Sequence, residues 1–251
     1  MNIIKPSCAM RAKPSETSEL ETEILFGETI EILDRNQEWI YCRLLTDSYC
    51  GWVKENNLGP FTPLTHRVIA NRSFLFEDKS SKSIHVDYLP LGSQLSIKNI
   101  KDSWATISLD HGKSCRFAYI PSNHIVKIDN KSNNWVSTAE RLIGTPYKWG
   151  GRDSIGLDCS ALLQLSYQTY GQNISRNTID QIKLRKKIIT DTNNLGRGFV
   201  VFWKGHVGIM VDNVNCVHAN GFHMQTTREP LENIVTRMGK NNPILKIMDF
   251  N

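Results

Sequence analysis

The sequence predicts a multi-domain chain: two small all-β barrels followed by an α+β domain with helices packed on an antiparallel sheet. Three observations predict it. A pattern in the first half occurs twice. Polar or proline-bearing stretches divide the 251 residues at two places. After the second of them, short strands give way to helices and then strands again.

The first copy runs Leu-Phe-Gly-Glu-Thr-Ile-Glu-Ile-Leu from Leu25, then Trp39 with Ile40, Cys42 and Leu44 in alternation, then Gly51, Trp52 and Val53. The second runs Leu-Pro-Leu-Gly-Ser-Gln-Leu-Ser-Ile from Leu89, then Trp104 with Thr106 and Ser108, and later Ala118, Tyr119 and Ile120. Gly27 and Trp39 have the same spacing as Gly92 and Trp104. Each copy is rich in β-branched and aromatic residues between Gly, Asn and Asp turns, with no helical period, so each reads as strands. About sixty residues per copy is a size at which a domain can just fold alone. Pro60 and Pro63 make a stiff connector, and Asp129 to Asn134 a polar linker. The expected domains are therefore residues 1–62, 63–131 and 132–251.

In the last of these, Trp135 to Ile143 reads as a short helix closed by Gly144. A second helix begins at Asp158 or Cys159, carries Ala161, Leu162 and Leu165 on one face, and ends at Gly171. Strands are expected at Phe199–Trp203, Val207–Val211, Cys216–His218 and Ile244–Met248. Pro230, then Leu231, Ile234, Val235 and Met238 at helical spacing, then Gly239, mark a late helix.

Composition narrows the function classes. The formal net charge is +5, and the one basic run, Lys183, Arg185, Lys186 and Lys187, has no interleaved aromatics. It reads as a solvated helix face rather than a nucleic-acid site. No apolar window reaches the roughly eighteen residues of a spanning helix. Met1 to Ser7 lacks the apolar stretch of a signal peptide, so the expected location is cytoplasmic. Six cysteines (Cys8, Cys42, Cys50, Cys115, Cys159 and Cys216) include no Cys-x-x-Cys pair. One working thiolate would leave an odd number, which argues for a reducing compartment over a disulfide framework.

Cys159 stands where a glycine-rich turn meets a helix start, a place that favours thiolate over thiol. A nucleophilic cysteine also needs a base within hydrogen-bond reach and a group to orient that base. His206, in Gly-His-Val-Gly-Ile-Met, and His218, in Val-His-Ala-Asn, lie on consecutive strands. Their register is not fixed by sequence; a bulge or a suitable loop would bring both rings to one face. Singly, such a cysteine is usually a small buried hydrophobe and such a histidine a satisfied core residue. The combination in this order is much harder to reach by chance. Zinc held by Cys159, His206, His218 and His223 is the competing chemistry, but the short paired spacings of structural zinc sites are absent. No metal or organic cofactor is expected.

Met-Arg-Ala-Lys-Pro-Ser-Glu-Thr-Ser-Glu-Leu, with Leu25 to Leu33, Trp39 and Tyr49-Cys-Gly-Trp-Val53, resembles bacterial SH3-like domains. Gly144-Thr-Pro-Tyr-Lys-Trp-Gly-Gly151, Gly156-Leu-Asp-Cys-Ser160, Phe202 to Met210 and Val217 to Asn220 resemble the NlpC-type family of papain-fold cysteine peptidases, over residues 135–250. That resemblance implies Cys159 as nucleophile, His206 as base, His218 as orienting residue and Tyr147 near the oxyanion. It also implies Asp158, Ser160 and Trp149 in the substrate pocket, with Glu19 and Tyr49 of the first barrel meeting the substrate amine. The subgroup it points to cuts muropeptides between γ-D-glutamate and a diamino acid, meso-diaminopimelate being expected here, in peptides beginning with free L-Ala. A wall-peptide-binding protein without turnover, and amidase or acyl-transfer chemistry, are the alternatives. Two departures are plain: Gly198-Phe199 stands where the family usually has Gly-Asp, and the second barrel has Ala118-Tyr119 in place of Gly-Trp.

Overall fold

The computed structural model describes residues 1–109, 117–131, 134–191 and 194–251. Cys115, and Ser132 and Asn133 of the polar linker, lie outside the described residues. The chain divides into two compact units, Met1–Lys131 with Arg152–Ser154, and Ser132–Gly151 with Ile155–Asn251.

The first unit is built of antiparallel strands in two sheet systems. One has the order Leu20–Leu25, Ser7–Arg11, Cys50–Lys54, Trp39–Leu44, Ile30–Asn36. The other has the order His85–Pro90, Arg72–Phe76, Phe117–Pro121, Trp104–Ser108, Ile97–Lys101, accompanied by a three-stranded sheet. Alternation along the strands gives each system a core of its own, Met10, Ile24, Ile40 and Val53 in one and Leu75, Leu89, Ile107 and Ile120 in the other.

The weak sequence repeat is strong in the backbone. Gly27 and Gly92 both have positive φ (81° and 89°), and each repeat's Trp follows a turn with a further positive φ, at Gln37 or at Asp102 and Ser103. The strand pairs slip register at equivalent places, Ile32/Asp34 and Ile97/Asn99. Side chains drifted between the copies while the backbone devices stayed.

Within this unit Arg152 is fully buried and donates to both Glu28 oxygens, at 2.7 and 2.9 Å, while its backbone N–H meets Glu23 Oε2 at 3.0 Å. Breaking such a pair from one side costs about 3–5 kcal/mol, because it leaves a buried charge alone.

The second unit centres on a six-stranded antiparallel sheet, ordered Lys187–Ile188, Lys246–Asp249, Phe199–Trp203, His206–Met210, Asn215–Asn220, Gln225–Pro230. Its helices are α1 (Val136–Arg141), α2 (Cys159–Gln168), α3 (Thr178–Gln181) and α4 (Leu231–Met238). Two expectations change here. Every residue of α2 is buried, so it is a central helix and not a one-faced amphipathic one. The basic run is not a helix face either: it follows α3 through a turn into a short strand, with Lys186 placed over the Tyr167 ring. The strand Gln225–Pro230, whose sequence is polar throughout, was not expected at all. No described helix is long and apolar enough to cross a membrane.

Candidate active site

Asp158 leaves the extended region just before α2, and its carboxylate caps the helix by accepting from the Ala161 N–H at 2.9 Å. The same carboxylate accepts from Gly150 N–H at 3.0 Å, Ser160 Oγ at 3.0 Å and both guanidinium nitrogens of Arg176, at 2.9 and 2.7 Å. Ser160 Oγ in turn accepts from Arg176 at 2.7 Å, and Gln181 donates to the Ser160 carbonyl at 3.0 Å. An ionised carboxylate has about four acceptor sites, so five donors fill it. Asp158 and Ser160, both expected in the substrate pocket, are thus tied into the network that fixes the start of α2. Arg176 and Gln181 carried no signal in the sequence, lying in a loop and a one-turn helix well downstream.

Cys159 is the first residue of α2 and 8% exposed. Burial, and next the Asp158 charge, push its thiol up to about 12, against the backbone N–H groups of Val207 and Ser160 and the Arg176 charge, which favour the thiolate. Tyr147 is held beside the Gln225–Pro230 strand, its N–H donating to the Met224 carbonyl at 2.9 Å. Its hydroxyl is also driven up to about 12, first by burial and then by Cys159 and Asp158. Trp149, on the same turn, is 67% exposed.

The register that the sequence left open is simple. Ile209 pairs with Val217 and Met210 with Cys216, which sets Gly208 across from His218 and makes His206 its diagonal neighbour on the same face. No bulge is needed. A Cβ on Gly208 would stand 2.4 Å from Cys216 Sγ, so a side chain there would force Cys216 to shift. His206 Nε2 and His218 Nδ1 are 2.8 Å apart, with the rings crossed at 73°. Burial, then the His218 charge, pull His206 down to about 3. His218 is lowered too, first by burial, with Glu229 opposing.

Beyond the pair lies Glu229. Its Oε1 is 2.8 Å from His218 Nε2, and Arg237 of α4 donates to both its oxygens, at 2.5 and 3.1 Å. Burial would raise Glu229, but Arg237 and His218 outweigh it and hold the carboxyl at about 2. The sequence signal was the alternation in Thr-Thr-Arg-Glu, too short and polar to read as a strand.

Glu19 and Tyr49 belong to the first unit. Glu19 is exposed just before the Leu20–Leu25 strand, and the Tyr49 hydroxyl donates to Glu21 Oε2 at 2.6 Å. The five described cysteines are all free.

Comparison with known proteins places this geometry. Residues 144–238 match the NlpC/P60 family, and residues 10–58 the bacterial dipeptidyl-peptidase SH3 domain. Dipeptidyl-peptidase 6 of Lysinibacillus sphaericus is 25% identical over 241 residues, 87% of this chain and 86% of its own. Gamma-D-glutamyl-L-lysine dipeptidyl-peptidase of Bacillus subtilis is 23% identical over 222 residues, 80% of this chain and 72% of its own. Among solved structures, a NlpC/P60 family protein from Bacillus cereus superposes with a TM-score of 0.83 at 16% identity, covering 99% of this chain and 98% of that one.

Proposed function

From an NlpC/P60 domain over residues 144–238 behind a bacterial dipeptidyl-peptidase SH3 domain over residues 10–58, we propose a cysteine peptidase that hydrolyses the γ-D-glutamyl bond to a diamino acid in short wall peptides with a free L-Ala. The two sheet systems of the first unit are read as two SH3-like barrels, residues 1–62 and 63–131. The observation that carries the chemistry is the His206–His218 hydrogen bond on one sheet face, with the Val207 N–H directed at the Cys159 sulfur. The names of two relatives, dipeptidyl-peptidase 6 and gamma-D-glutamyl-L-lysine dipeptidyl-peptidase, support the bond and the free amino end.

His206 Nδ1, the ring nitrogen not bonded to His218, takes the Sγ proton and holds Cys159 as the thiolate, whose sulfur adds to the γ-carbonyl carbon. The Cys159 N–H and the Tyr147 hydroxyl are assigned to the developing oxyanion. On collapse the C–N bond breaks, the diamino-acid amine leaves with the proton from His206, and a thioester remains. Water, deprotonated by His206, then attacks the thioester and releases L-Ala-γ-D-Glu with the thiol restored. Trp149, Asp158 and Ser160 are the substrate-facing candidates of the second unit. A cytoplasmic role in recycling free peptides fits the free-amine requirement, because stem peptides in intact wall are joined to glycan at that amine.

The test is product analysis with L-Ala-γ-D-Glu linked to meso-diaminopimelate or to L-Lys, each free and N-acetylated, and with intact sacculi. The proposal predicts L-Ala-γ-D-Glu from the free tripeptides and little from blocked peptide or sacculus. Equal rates on free and acetylated peptide would refute the amine requirement; no cleavage of either tripeptide would refute the bond assignment.

A further inference from the structure

We propose that Glu229, held by Arg237, is a positioning residue that sets the tautomers of both histidines and so decides which His206 nitrogen is left to act as base. This rests on Cys159, His206 and His218 being the catalytic machinery, and it adds two residues and helix α4 to that machinery.

The argument is proton counting. An ionised carboxylate can only accept, so at 2.8 Å from Glu229 Oε1 the His218 Nε2 must carry hydrogen. A neutral imidazole has one N–H, which makes His218 Nδ1 an acceptor. His206 Nε2, at 2.8 Å from it, must then be the donor. His206 Nδ1 is left without hydrogen and free to take one from Cys159. Reversing any link reverses them all, and the base then points a proton where it should accept one. Asn220 Nδ2 also approaches His218 Nε2, at 3.2 Å, but it has Thr227 Oγ1 as an acceptor at 3.0 Å. The shorter contact and the full charge favour Glu229.

Glu229 is built for that task. Its side chain is 12% exposed, and Arg237 grips both oxygens. The titratable groups around it are Arg237 on α4, His218 and Cys216 on the adjacent strand, His206 behind His218, and His223, whose Nε2 is 3.4 Å away. When His206 becomes an imidazolium during turnover, the carboxylate two links back stabilises the positive charge that forms.

The experiment measures kcat, KM and the pH profile on the free tripeptide for wild type, Glu229→Gln, Glu229→Asp and Arg237→Gln, with ¹⁵N NMR of the histidine rings. An amide at 229 can donate to His218 Nε2 as readily as it accepts, so both tautomers become populated. Glu229→Gln should lower kcat roughly 100-fold, below the roughly 10⁴-fold seen when the reversing amide adjoins the base itself. KM should stay nearly constant, and the acid limb of kcat should move to lower pH. Glu229→Asp should recover part of the loss, and Arg237→Gln should lose less than Glu229→Gln. The ¹⁵N spectra should show unprotonated His206 Nδ1 in wild type and a mixture in Glu229→Gln. A folded Glu229→Gln with unchanged kcat and histidine spectra would overturn the proposal. If that variant does not fold, wild-type ¹⁵N spectra that place hydrogen on His206 Nδ1 overturn it equally. The ring spectra need no turnover, so a failure of the peptidase reading itself is seen separately, as a wild type with the stated tautomers and no cleavage.

Discussion

Asp158 and Glu229 are both largely buried carboxylates gripped by an arginine, yet the two networks differ in how they end. Asp158 accepts from five donors contributed by Gly150, Ser160, Ala161 and Arg176, all gathered around the start of α2. Glu229 closes on Arg237 at one side and continues on the other through His218 to His206. The first network fixes the start of α2, where Cys159 sits. The second links α4 to the histidine pair, so the proposed mechanism predicts that its loss shows first in turnover.

Substitutions can break this contrast, and the largest effect falls on the second network. His206→Ala should reduce kcat about 10²- to 10⁴-fold, the usual worth of a positioned base, while urea unfolding stays cooperative with a midpoint near that of wild type. A variant that unfolds instead would make His206 structural. The first network should respond in stability first. Arg176→Ala leaves a buried carboxylate unpaired and should cost about 3–5 kcal/mol of unfolding free energy. An unchanged urea midpoint would show that Asp158 has room for another partner, a substrate ammonium group included.

Ser160→Ala sharpens the same point with a smaller change. Removing a buried hydroxyl that links Asp158 to Arg176 should cost about 1–3 kcal/mol, with KM for the tripeptide unaltered. A raised KM with wild-type stability would put the weight of Ser160 on the substrate pocket instead.

A further effect is on the pH dependence of stability. Glu229 is held at about 2, below its ordinary value. Its contribution is complete above the unfolded pKa, near 4.5, and is lost as pH falls toward 2. His206 is pulled down to about 3. The unfolded chain then binds a proton that the folded one refuses, so between about 6.5 and 3 stability again falls with acid. Both slopes have the same sign, and Glu229→Gln should flatten the lower part of a midpoint-against-pH curve.

The sequence showed α2, α4, the histidine strands and the doubled pattern of the first half, because each has a period, a cap or a glycine of clear physical meaning. It missed the strand Gln225–Pro230, whose residues are polar, and with it Glu229. It missed Arg176 because pairing across a loop leaves no local pattern. The register between His206 and His218 was beyond sequence for the same reason: one residue of slip turns a histidine to the opposite face, and only packing forbids it. Asp158 was legible as a cap. What was not legible is its pairing with Arg176.

The most direct measurement is turnover of L-Ala-γ-D-Glu-diamino acid by Cys159→Ala beside wild type, with thermal unfolding recorded on both. The account predicts a variant that folds and releases no L-Ala-γ-D-Glu. Cleavage by the folded variant at the wild-type rate would contradict it.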